Sequence, residues 1–329
     1  MKIAINGFGR IGRAAAKIIM EHEQAELVAV NDLDDVNTFA HLMKYDSSYG
    51  NYNKEVSVEG DSLVIDGHKI KFLTEKDPAN LPWGDLGVDV VIESTGIFLD
   101  QEKAGGHIKA GAKKVVMSAP AKDDATKTYV IGVNADQYAG EEIISCASCT
   151  TNCITPIMDV LEKSFGVEKS LMTTVHSYTA DQNLVDGPHN DLRRARASAI
   201  NIVPTTTGAA KTTTKVIETL KDKFDGLSIR VPTPIVSISD IVALLKKDVT
   251  VEEVNQAMVL ASEGNLKGVV TVSDEELVST DLIGDPSSAI VDLKLTQVVD
   301  GNMIKIIAWY DNEFGYSNRL VELCQIISK

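Results

Sequence analysis

Three glycines, Gly7, Gly9 and Gly12, follow directly after the first apolar run of the chain and constrain its fold more than any other feature. Residues 2–6 form a short strand-like run, and residues 10–20 are predicted to form a helix. In a G-x-G-x-x-G turn between a strand and a helix, the first glycine permits the tight turn and the third permits close helix packing. The second lets the backbone approach a pyrophosphate at the helix N-terminus. Glycine turns are common, so this pattern needs support from its surroundings.

Asp32 provides that support. It lies about 20 residues after Gly12, at the end of a second apolar run over residues 27–31. A carboxylate there accepts hydrogen bonds from the ribose hydroxyls of adenosine and repels a 2′-phosphate. The sequence therefore predicts an NAD site rather than an NADP site. The alternative is that Asp32 is a solvated turn residue in the acidic string with Asp34 and Asp35.

The order of apolar runs predicts an α/β protein with two domains. Before residue 148, short apolar runs alternate with helical stretches, which is typical of a Rossmann-type parallel sheet. After it, the runs become longer and alternate with polar residues, which predicts a second, α+β catalytic domain on a largely antiparallel or mixed sheet. We predict a dinucleotide-binding domain over residues 1–148 and a catalytic domain over 149–313, with a C-terminal helix over 314–329 packed back on the first domain. The predicted helices of the second half are 209–224 and one that opens with a capping box at Thr250.

Composition excludes several classes of function. With 329 residues, the chain is long enough for about two domains. Its net charge of −15 disfavours binding to nucleic acids and to anionic membrane surfaces. No apolar run approaches the roughly 20 residues that a membrane span needs, and the start of the chain has no signal-peptide pattern. Three of the four cysteines lie between positions 146 and 153, too close for a disulfide framework. We expect a cytoplasmic protein.

Cys149 is the candidate nucleophile. It follows a predicted strand over residues 143–145 and begins a predicted helix, so the helix N-terminus would favour its thiolate. A thiol must lose about two pKa units to be mostly ionised at pH 7, and a helix dipole supplies only part of that. A cationic partner is therefore expected.

His176 is the histidine best placed to be that partner. It ends the mostly apolar strand over residues 171–175, so rigid structure would hold it in an interior site. For a lone histidine in such a place, a satisfied core residue is the usual alternative. His41 is ambiguous. The remaining histidines are predicted to face solvent: His22, His68, His107 and His189.

A metal site is the competing interpretation of the cysteine cluster, because closely spaced thiols can hold zinc or an iron–sulfur cluster. Only Cys146, Cys149 and Cys153 are clustered, and Cys324 lies in the C-terminal helix. We therefore predict no metal. Cys153, one helical turn after Cys149, is predicted to be a buried packing residue.

The chain resembles the phosphorylating glyceraldehyde-3-phosphate dehydrogenases over essentially its whole length. The motifs that carry the resemblance are residues 5–12 (INGFGRIG), 94–96 (STG), 147–153 (ASCTTNC), 176–179 (HSYT), 204–211 (PTTTGAAK), 230–234 (RVPTP) and 309–316 (WYDNEFGY). The cysteine motif together with the last segment is highly specific.

The resemblance implies that Cys149 attacks an aldehyde to give a thiohemiacetal, with His176 lowering the pKa of the thiol and accepting the hydroxyl proton as hydride leaves for NAD. The resulting thioester is then attacked by inorganic phosphate, so that glyceraldehyde 3-phosphate gives 1,3-bisphosphoglycerate. This is covalent catalysis, in which one hard step becomes two easier ones.

The resemblance also implies the binding residues. The residues for the substrate phosphate are Thr179, Asp181, Arg194 and Arg230. Those for the attacking phosphate are Ser148, Thr150, Thr207 and Gly208. Those for NAD are Gly7, Gly9, Arg10, Ile11, Gly12, Asp32, Thr95, Gly96, Ser118, Asn312 and Tyr316, with Asn312 bonded to the nicotinamide carboxamide. Residues 188–211 carry four cations against one aspartate, which would help to concentrate anions.

In the family, the segment from about residue 178 to 203 is a long loop at a subunit interface, so the resemblance implies a homotetramer. Two alternatives remain: an erythrose-4-phosphate dehydrogenase that uses water as acyl acceptor, and a non-catalytic NAD-binding or adhesion protein. The chain departs from the family at Cys146, where asparagine is usual. Because this creates a Cys-x-x-Cys pattern with Cys149, we hypothesise that mild oxidation forms a Cys146–Cys149 disulfide.

Overall fold

A computed structural model describes residues 1–328 of the chain. The chain forms two compact units: the first contains residues 1–129, 135–147 and those from Ser317 on, and the second contains residues 130–134 and 148–316. The α-helices are α1 (Arg10–Ile19), α2 (Val36–Lys44), α3 (Trp83–Leu86), α4 (Gln101–Lys109), α5 (Cys149–Phe165), α6 (Ala209–Val216), α7 (Val251–Glu263) and α8 (Phe314–Ile327). Short 3-10 turns cover Pro78–Asn80, Ala135–Gln137, Glu218–Leu220, Ser279–Leu282 and Leu293–Leu295.

The strands fall into two large sheets and one short hairpin. Those of the first unit are β1 (Lys2–Asn6), β2 (Glu26–Asn31), β3 (Tyr45–Asp46), β4 (Gly50–Asn51), β5 (Val56–Glu59), β6 (Ser62–Ile65), β7 (His68–Leu73), β8 (Val90–Glu93), β9 (Lys114–Met117), β10 (Lys127–Thr128) and β11 (Ile143–Ser145). Those of the second unit are β12 (Val167–Ser177), β13 (Val203–Thr206), β14 (Phe224–Val231), β15 (Ser237–Leu245), β16 (Val270–Ser273), β17 (Ala289–Asp292), β18 (Gln297–Val299) and β19 (Met303–Tyr310).

The sheet of the first unit has the order β10-β11-β9-β8-β1-β2-β7-β6-β5. The strands from β10 to β7 are parallel, and β6 and β5 extend the sheet in antiparallel pairing. The central strands β1 and β8 are apolar over most of their length because helices of a βαβ fold bury both faces of a parallel sheet. The order changes direction at β1, and at such a point the carboxyl ends of the strands open a crevice for a ligand.

The sheet of the second unit has the order β13-β14-β12-β15-β19-β17-β16, with β18 paired to β19. It is mixed: β12 runs parallel to β14 and β16 parallel to β17, whereas the other neighbours are antiparallel. Helix α5 packs against α6, α7 and the sheet, and its apolar residues form much of the core. The predicted fold class, a parallel Rossmann-type sheet followed by an α+β unit on a mixed sheet, is confirmed.

Some elements differ from the prediction. The helix expected over residues 209–224 ends at Val216, because residues 218–220 form a 3-10 turn and Phe224 already pairs with Ser170 in the sheet. The antiparallel strands β5 to β7 were not predicted, since they lie outside the βαβ pattern. The capping box at Thr250 is present, with hydrogen bonds in both directions between Thr250 and Glu253.

The prediction that His107 faces solvent is wrong. It lies on the inner face of α4 and its side chain is fully buried. Both ring nitrogens have partners: Trp83 Nε1 donates to Nδ1 at 3.0 Å, and Nε2 lies 3.0 Å from Glu93 Oε2. The neighbouring Gly105 and Gly106 suggested a loop, but α4 continues through them. Among residues 1–328, no helix is both long and apolar enough to cross a membrane.

Candidate active site

The glycine turn of the first unit has the geometry that the sequence predicts for a dinucleotide site. Gly7 has a φ of +93° and donates its N–H to Asn31 O at 2.8 Å, so a residue with a side chain would be strained there. A Cβ at Gly12 would lie 2.2 Å from Gly7 O, which shows how closely α1 approaches the turn. A Cβ at Gly9, by contrast, would meet no atom within 4 Å. The turn is therefore closely packed at Gly7 and Gly12, whereas the backbone at Gly9, next to the first residue of α1, has free space beside it.

Asp32 joins the turn to the end of β2. Its Oδ2 accepts a hydrogen bond from Phe8 N at 2.6 Å, and its Oδ1 accepts one from Leu33 N at 2.7 Å. The carboxylate is thus held beside the glycine turn, as a ribose-binding carboxylate requires. The open backbone at Gly9 and the fixed carboxylate of Asp32 together fit a dinucleotide.

A buried carboxylate, Glu93, holds the loop that carries the predicted cofactor residue Thr95. Glu93 Oε1 accepts hydrogen bonds from Thr95 N and Thr95 Oγ1, at 2.8 and 2.5 Å. Its Oε2 accepts from Asn6 Nδ2 at 2.6 Å and contacts His107 Nε2. An indole N–H can only donate, so Nδ1 of His107 accepts the hydrogen bond from Trp83. The proton of the neutral ring is then on Nε2, which faces Glu93. The network therefore fixes the loop at the carboxyl end of β8.

The other predicted cofactor residues of the first unit lie at the ends of its elements. Arg10 Nη1 binds Asp46 Oδ2 at 2.7 Å, and the guanidinium lies over the ring of Tyr49. Gly96, at a φ of +75°, is exposed in the loop after β8. Ile11, in the first turn of α1, and Ser118, directly after β9, are both half-buried.

Cys149 is the first residue of α5 in the second unit. Ser148 caps the helix, its Oγ accepting a hydrogen bond from Thr151 N at 3.1 Å. The thiol is half-buried and packs against the core, and its Sγ lies 3.5 Å from His176 Nε2. A helix N-terminus, a thiol and an imidazole therefore meet at one point.

The backbone around His176 fixes the tautomer of its ring. Nδ1 lies 2.7 Å from Ser177 O, and a carbonyl oxygen can only accept, so Nδ1 carries the proton. Nε2 is then the acceptor facing Cys149 Sγ. Arg230 Nη1 lies 3.1 Å from both Ser177 O and His176 Nδ1. Because the contact between Nδ1 and the carbonyl is the shorter one, we assign the Nδ1 proton to that bond and the Arg230 donor to the carbonyl. The neutral imidazole can thus accept the thiol proton.

Burial and the charge of Arg230 both act on the Cys149–His176 pair. Burial, and after it the charge of Arg230, lowers the pKa of His176 to about 3, so the imidazole is neutral at pH 7. Burial raises the pKa of the Cys149 thiol, while the charge of Arg230 and a hydrogen bond with the backbone of Thr150 act to lower it. We expected an imidazolium to stabilise the thiolate. The structure adds Arg230 as a second source of positive charge beside the thiol, while burial opposes the charged form of both partners.

Tyr310 forms a hydrogen-bonded chain beneath the thiol. Its hydroxyl lies 2.9 Å from Thr150 Oγ1 and 2.8 Å from Thr174 Oγ1. Thr174 Oγ1 donates to Ile238 O at 3.3 Å, so the tyrosine proton goes to Thr174 and its oxygen accepts from Thr150. Thr150 Oγ1 is also 4.0 Å from Cys149 Sγ. The predicted residue Thr150 is thus held in one orientation by Tyr310.

Two predicted phosphate-binding residues, Arg230 and Thr179, lie close to His176. Arg230 Nη1 is 3.4 Å from Thr179 Oγ1, while Arg230 Nε is buried with no hydrogen-bond partner among residues 1–328. A buried guanidinium with an unused donor is a group that an anion would satisfy.

Arg194 and Asp181 form a separate ion pair. Arg194 Nη1 donates to Asp181 Oδ2, and Arg194 Nε donates to Thr205 Oγ1 at 2.9 Å. His189 lies 3.6 Å from the other oxygen of Asp181. Arg196 likewise pairs with Asp186 at 2.9 Å. The predicted basic cluster is therefore partly neutralised by carboxylates that lie earlier in the chain.

Thr207 and Gly208 lie at the start of α6. Thr207 Oγ1 accepts a hydrogen bond from Ala209 N at 3.2 Å, and Gly208 is the N-cap residue. Helix α6 is tied to α5 by a hydrogen bond of 2.8 Å between Thr155 Oγ1 and Thr213 Oγ1. The N-terminus of α6 thus offers backbone N–H groups for an anion.

Asn312 and Tyr316 follow β19. Asn312 is buried, and its Oδ1 accepts hydrogen bonds from Ser177 Oγ and Ser237 Oγ at 3.0 and 3.1 Å. Tyr316, in the first turn of α8, is also buried. Asn312 is therefore part of the same hydrogen-bonded group as the end of β12, where His176 lies.

Several residues of this arrangement were not predicted from the sequence. They are Glu93, Thr174, Ser177, Ser237 and Tyr310. Ser177 lies in the motif of residues 176–179 and Tyr310 in that of residues 309–316. The sequence alone does not indicate which side chains these two residues contact. Cys153 is fully buried in the core of the second unit, and no group of three or more potential metal ligands was found in residues 1–328.

Comparisons with known proteins show which family the chain is similar to. Residues 1–101 match the glyceraldehyde 3-phosphate dehydrogenase NAD binding domain, and residues 148–312 match the C-terminal domain of the same family. Similar proteins include the glyceraldehyde-3-phosphate dehydrogenase of Geobacillus stearothermophilus, 53% identical over 100% of this chain and 98% of the relative. Glyceraldehyde-3-phosphate dehydrogenase 1 of Bacillus subtilis (strain 168) is 52% identical over the same shares. The enzyme of Mycolicibacterium smegmatis is 54% identical over 100% of this chain and 99% of the relative.

The fold of the first unit and the cysteine–histidine pair of the second define an NAD-dependent oxidoreductase. Its cofactor is NAD. The chain belongs to the glyceraldehyde-3-phosphate dehydrogenase family.

Proposed function

We propose that the protein oxidises D-glyceraldehyde 3-phosphate with NAD and inorganic phosphate to 1,3-bisphosphoglycerate and NADH. The observation that carries the proposal is the placement of Cys149 Sγ at the N-terminus of α5, 3.5 Å from the acceptor nitrogen of His176. A thiol with a base at hydrogen-bond distance is the arrangement that nucleophilic catalysis needs.

The first step forms the thiohemiacetal. His176 Nε2 accepts the thiol proton, and Arg230 stabilises the thiolate. The sulfur then forms a bond to the aldehyde carbon, and the C=O π electrons move to the oxygen, which receives the proton from His176. The neutral imidazole is restored and can act again.

The second step forms the thioester. His176 Nε2 accepts the hydroxyl proton as the C–H bond breaks and the C=O bond forms again. NAD, when bound, accepts the hydride. The fixed Nδ1–H···O=C bond to Ser177 holds the imidazole in the tautomer that both proton transfers need.

The third step releases the product. A phosphate oxygen forms a bond to the thioester carbon, the C–S bond breaks, and Cys149 leaves as a thiolate. The thiolate takes back from His176 Nε2 the proton that the imidazole accepted in the second step, so both groups return to their starting forms. We assign the attacking phosphate to four groups at two helix N-termini: Ser148, Thr150, Thr207 and Gly208. The N–H groups of such termini favour anions.

The substrate phosphate is assigned to Thr179 and Arg230, with Asp181 and Arg194 beside them. The unused, buried Nε donor of Arg230 supports the assignment. The Asp181 carboxylate accepts a hydrogen bond from Arg194 Nη1, so this donor is not available to the substrate phosphate. The Asp181–Arg194 ion pair would instead act by holding the loop that contains both residues in place.

For NAD we assign the glycine turn and Asp32, which is held beside it. The proposed cofactor residues are Gly7, Gly9, Arg10, Ile11, Gly12, Asp32, Thr95, Gly96, Ser118, Asn312 and Tyr316. We assign NAD binding to a domain of residues 1–148 with the C-terminal helix packed on it, and catalysis to residues 149–313. That helix was predicted over residues 314–329, of which residue 329 lies outside the described residues, and α8 spans Phe314–Ile327.

We further propose a cytoplasmic homotetramer without nucleic-acid or membrane partners. Large apolar side chains on the segment 178–203 are mostly exposed in the single chain: Leu184, Val185, Leu192, Ile200 and Ile202. Such exposure is unusual for a monomer and supports a subunit interface along this loop. The net charge of −15 supports the absence of nucleic-acid and anionic-membrane partners.

The test is NADH formation from glyceraldehyde 3-phosphate, with and without inorganic phosphate or arsenate. We expect turnover to require the anion and to be abolished in Cys149→Ser. NADH formation that continues without either anion would contradict the phosphate assignment and favour water as acyl acceptor, as in an erythrose-4-phosphate dehydrogenase.

A further inference from the structure

Two serine hydroxyls hold the side-chain amide of Asn312. Ser177 Oγ lies 3.0 Å from Asn312 Oδ1, and Ser237 Oγ lies 3.1 Å from the same oxygen. All three side chains are buried. We call these three residues the serine clasp.

The direction of the hydrogen bonds in the serine clasp follows from the backbone. Ser177 N–H donates to Ser237 Oγ at 3.1 Å, so this hydroxyl is an acceptor there and has its proton available for Asn312 Oδ1. An amide oxygen only accepts and an amide nitrogen only donates. Two hydroxyl donors on one side therefore require that Oδ1 faces them. The Nδ2 group must face the opposite way.

The serine clasp is built on three adjacent strands of the sheet. Ser177 is the last residue of β12, Ser237 is the first of β15, and Asn312 follows β19 by two residues. These strands are neighbours, in the order β12-β15-β19. The residue before Ser237 is Val236, a buried β-branched residue with a φ of +67°. Such a conformation is costly and persists only where the surrounding structure imposes it.

Ser177 also connects the clasp to the catalytic pair. Its carbonyl oxygen accepts hydrogen bonds from His176 Nδ1 at 2.7 Å and from Arg230 Nη1 at 3.1 Å. One residue therefore fixes the orientation of the base through its backbone and that of Asn312 through its side chain.

We propose that Ser177 and Ser237 are positioning residues that lock the Asn312 amide with its Nδ2 donor directed at the nicotinamide carboxamide. This inference rests on the proposed cofactor role of Asn312. An amide turned by 180° would present oxygen to the carboxamide oxygen of the nicotinamide. It would lose one hydrogen bond and place two acceptors face to face.

The test compares NAD with ADP-ribose, which has no nicotinamide, by isothermal titration calorimetry. We expect Ser177→Ala and Ser237→Ala to weaken NAD binding about 3- to 10-fold, the amount of one hydrogen bond, and to leave ADP-ribose binding unchanged. Ser228→Ala is the matched control, because Ser228 is a buried serine of the same sheet whose Oγ has no partner among residues 1–328. It should bind both ligands as the parent does.

Asn312→Ala serves as the reference for the cofactor assignment. If it loses NAD affinity while both serine variants keep it, the positioning role is wrong and the assignment of Asn312 stands. If Asn312→Ala also keeps full NAD affinity, both the assignment and the positioning role fail, without bearing on Cys149. An equal loss of NAD and ADP-ribose affinity in the serine variants would show a merely structural role and overturn the proposal.

A second measurement follows the face of the ring that receives the hydride. With substrate deuterated at the aldehyde carbon, the parent should deliver deuterium to a single face of the ring, as read by NMR of the NADH. The double variant Ser177→Ala/Ser237→Ala should deliver a detectable fraction to the other face. Complete retention of one face would contradict the proposal.

Discussion

At the scale of single residues, the charge that acts on Cys149 comes from Arg230. Burial opposes the charged form of both partners of the Cys149–His176 pair, because it raises the pKa of the thiol and lowers that of the imidazole. The charge of Arg230 lowers both pKa values, which favours the thiolate and disfavours an imidazolium. The sequence could predict the cysteine and the histidine, but it could not predict this division of charge. Arg230 lies 54 positions after His176 and reaches it only because β12 and β14 are paired.

We predict that Arg230→Gln raises the pKa of Cys149, because the variant removes the positive charge that opposes the effect of burial. The thiolate fraction at pH 7 falls, so alkylation by iodoacetamide should slow about tenfold and its pH profile should move to higher pH. Alkylation needs no substrate, so the proposed role of Arg230 in phosphate binding does not interfere.

Arg193→Gln is the control for that experiment, because Arg193 is exposed and its loss changes the net charge by the same amount. An unchanged alkylation profile in Arg230→Gln, or an equal shift in both variants, would contradict the role of Arg230.

At the scale of elements, helix ends and one buried network place the candidate groups. The sequence predicted α5 and its start around Cys149 because that segment follows a predicted strand. The capping box of α7 was predicted from the spacing of Thr250 and Glu253. The Glu93 network was not predicted, because its members come from four elements and only folding brings them together.

Removal of the N-cap should separate stability from function. We predict that Ser148→Ala and Thr250→Ala each lower the free energy of unfolding by about 1 kcal/mol, the usual value of a helix cap. Only Ser148→Ala should raise KM for inorganic phosphate, since Ser148 belongs to the proposed phosphate site. The measurements are urea unfolding and steady-state kinetics with varied phosphate. Equal KM values in the two variants would remove Ser148 from that site.

Glu93→Gln tests the buried network. Each oxygen of the Glu93 carboxylate accepts two hydrogen bonds, and every partner is a donor. In Glu93→Gln, the NH2 group that replaces one oxygen must therefore face donors. We expect a loss of about 1–3 kcal/mol in the free energy of unfolding, together with weaker NAD binding through the Thr95 loop. Glu102→Gln, at an exposed position of α4, should change neither. A Glu93→Gln protein as stable as its parent would show that the network does not contribute.

At the scale of the whole molecule, the two-part architecture was predictable and its details were not. Short apolar runs separated by helical stretches predicted the parallel sheet, because both faces of such a sheet are buried. Longer runs that alternate apolar and polar residues predicted the mixed sheet, because one face of an antiparallel sheet can be exposed to solvent. The contacts of Tyr310 with Thr150 and Thr174 span 160 and 136 positions, so no local pattern could predict them. The burial of His107 was missed because the two glycines before it suggested a loop, and because its partners Trp83 and Glu93 lie 24 and 14 positions away on other elements.

The hypothesis of a Cys146–Cys149 disulfide concerns the junction of the two units. Cys146 lies in the first unit and is almost fully buried, whereas Cys149 begins α5 in the second, and both are thiols. Peroxide should oxidise Cys149 to a sulfenic acid with release of water. Attack by the Cys146 thiol, with loss of a second water, would then form the disulfide.

We predict a peptide that carries this bridge after mild peroxide treatment, and activity that a thiol reductant restores. Peptide mapping by mass spectrometry is the measurement. Cys146→Ser should lose the reversible recovery, while Cys324→Ser, the control at another buried cysteine of the first unit, should keep it. Sulfinic acid on Cys149 with no bridged peptide would disprove the hypothesis.

The backbone at Val236 has a consequence for engineering this protein. A valine at a φ of +67° carries conformational strain that a glycine would relieve. Because Val236 is buried, the glycine would also leave a cavity and give the unfolded chain more freedom. The same valine restricts the backbone next to Ser237, and glycine would restore the freedom that the valine removes. Relief of strain alone is therefore a poor guide to substitution at this position, because the same change removes packing and loosens the segment that carries Ser237.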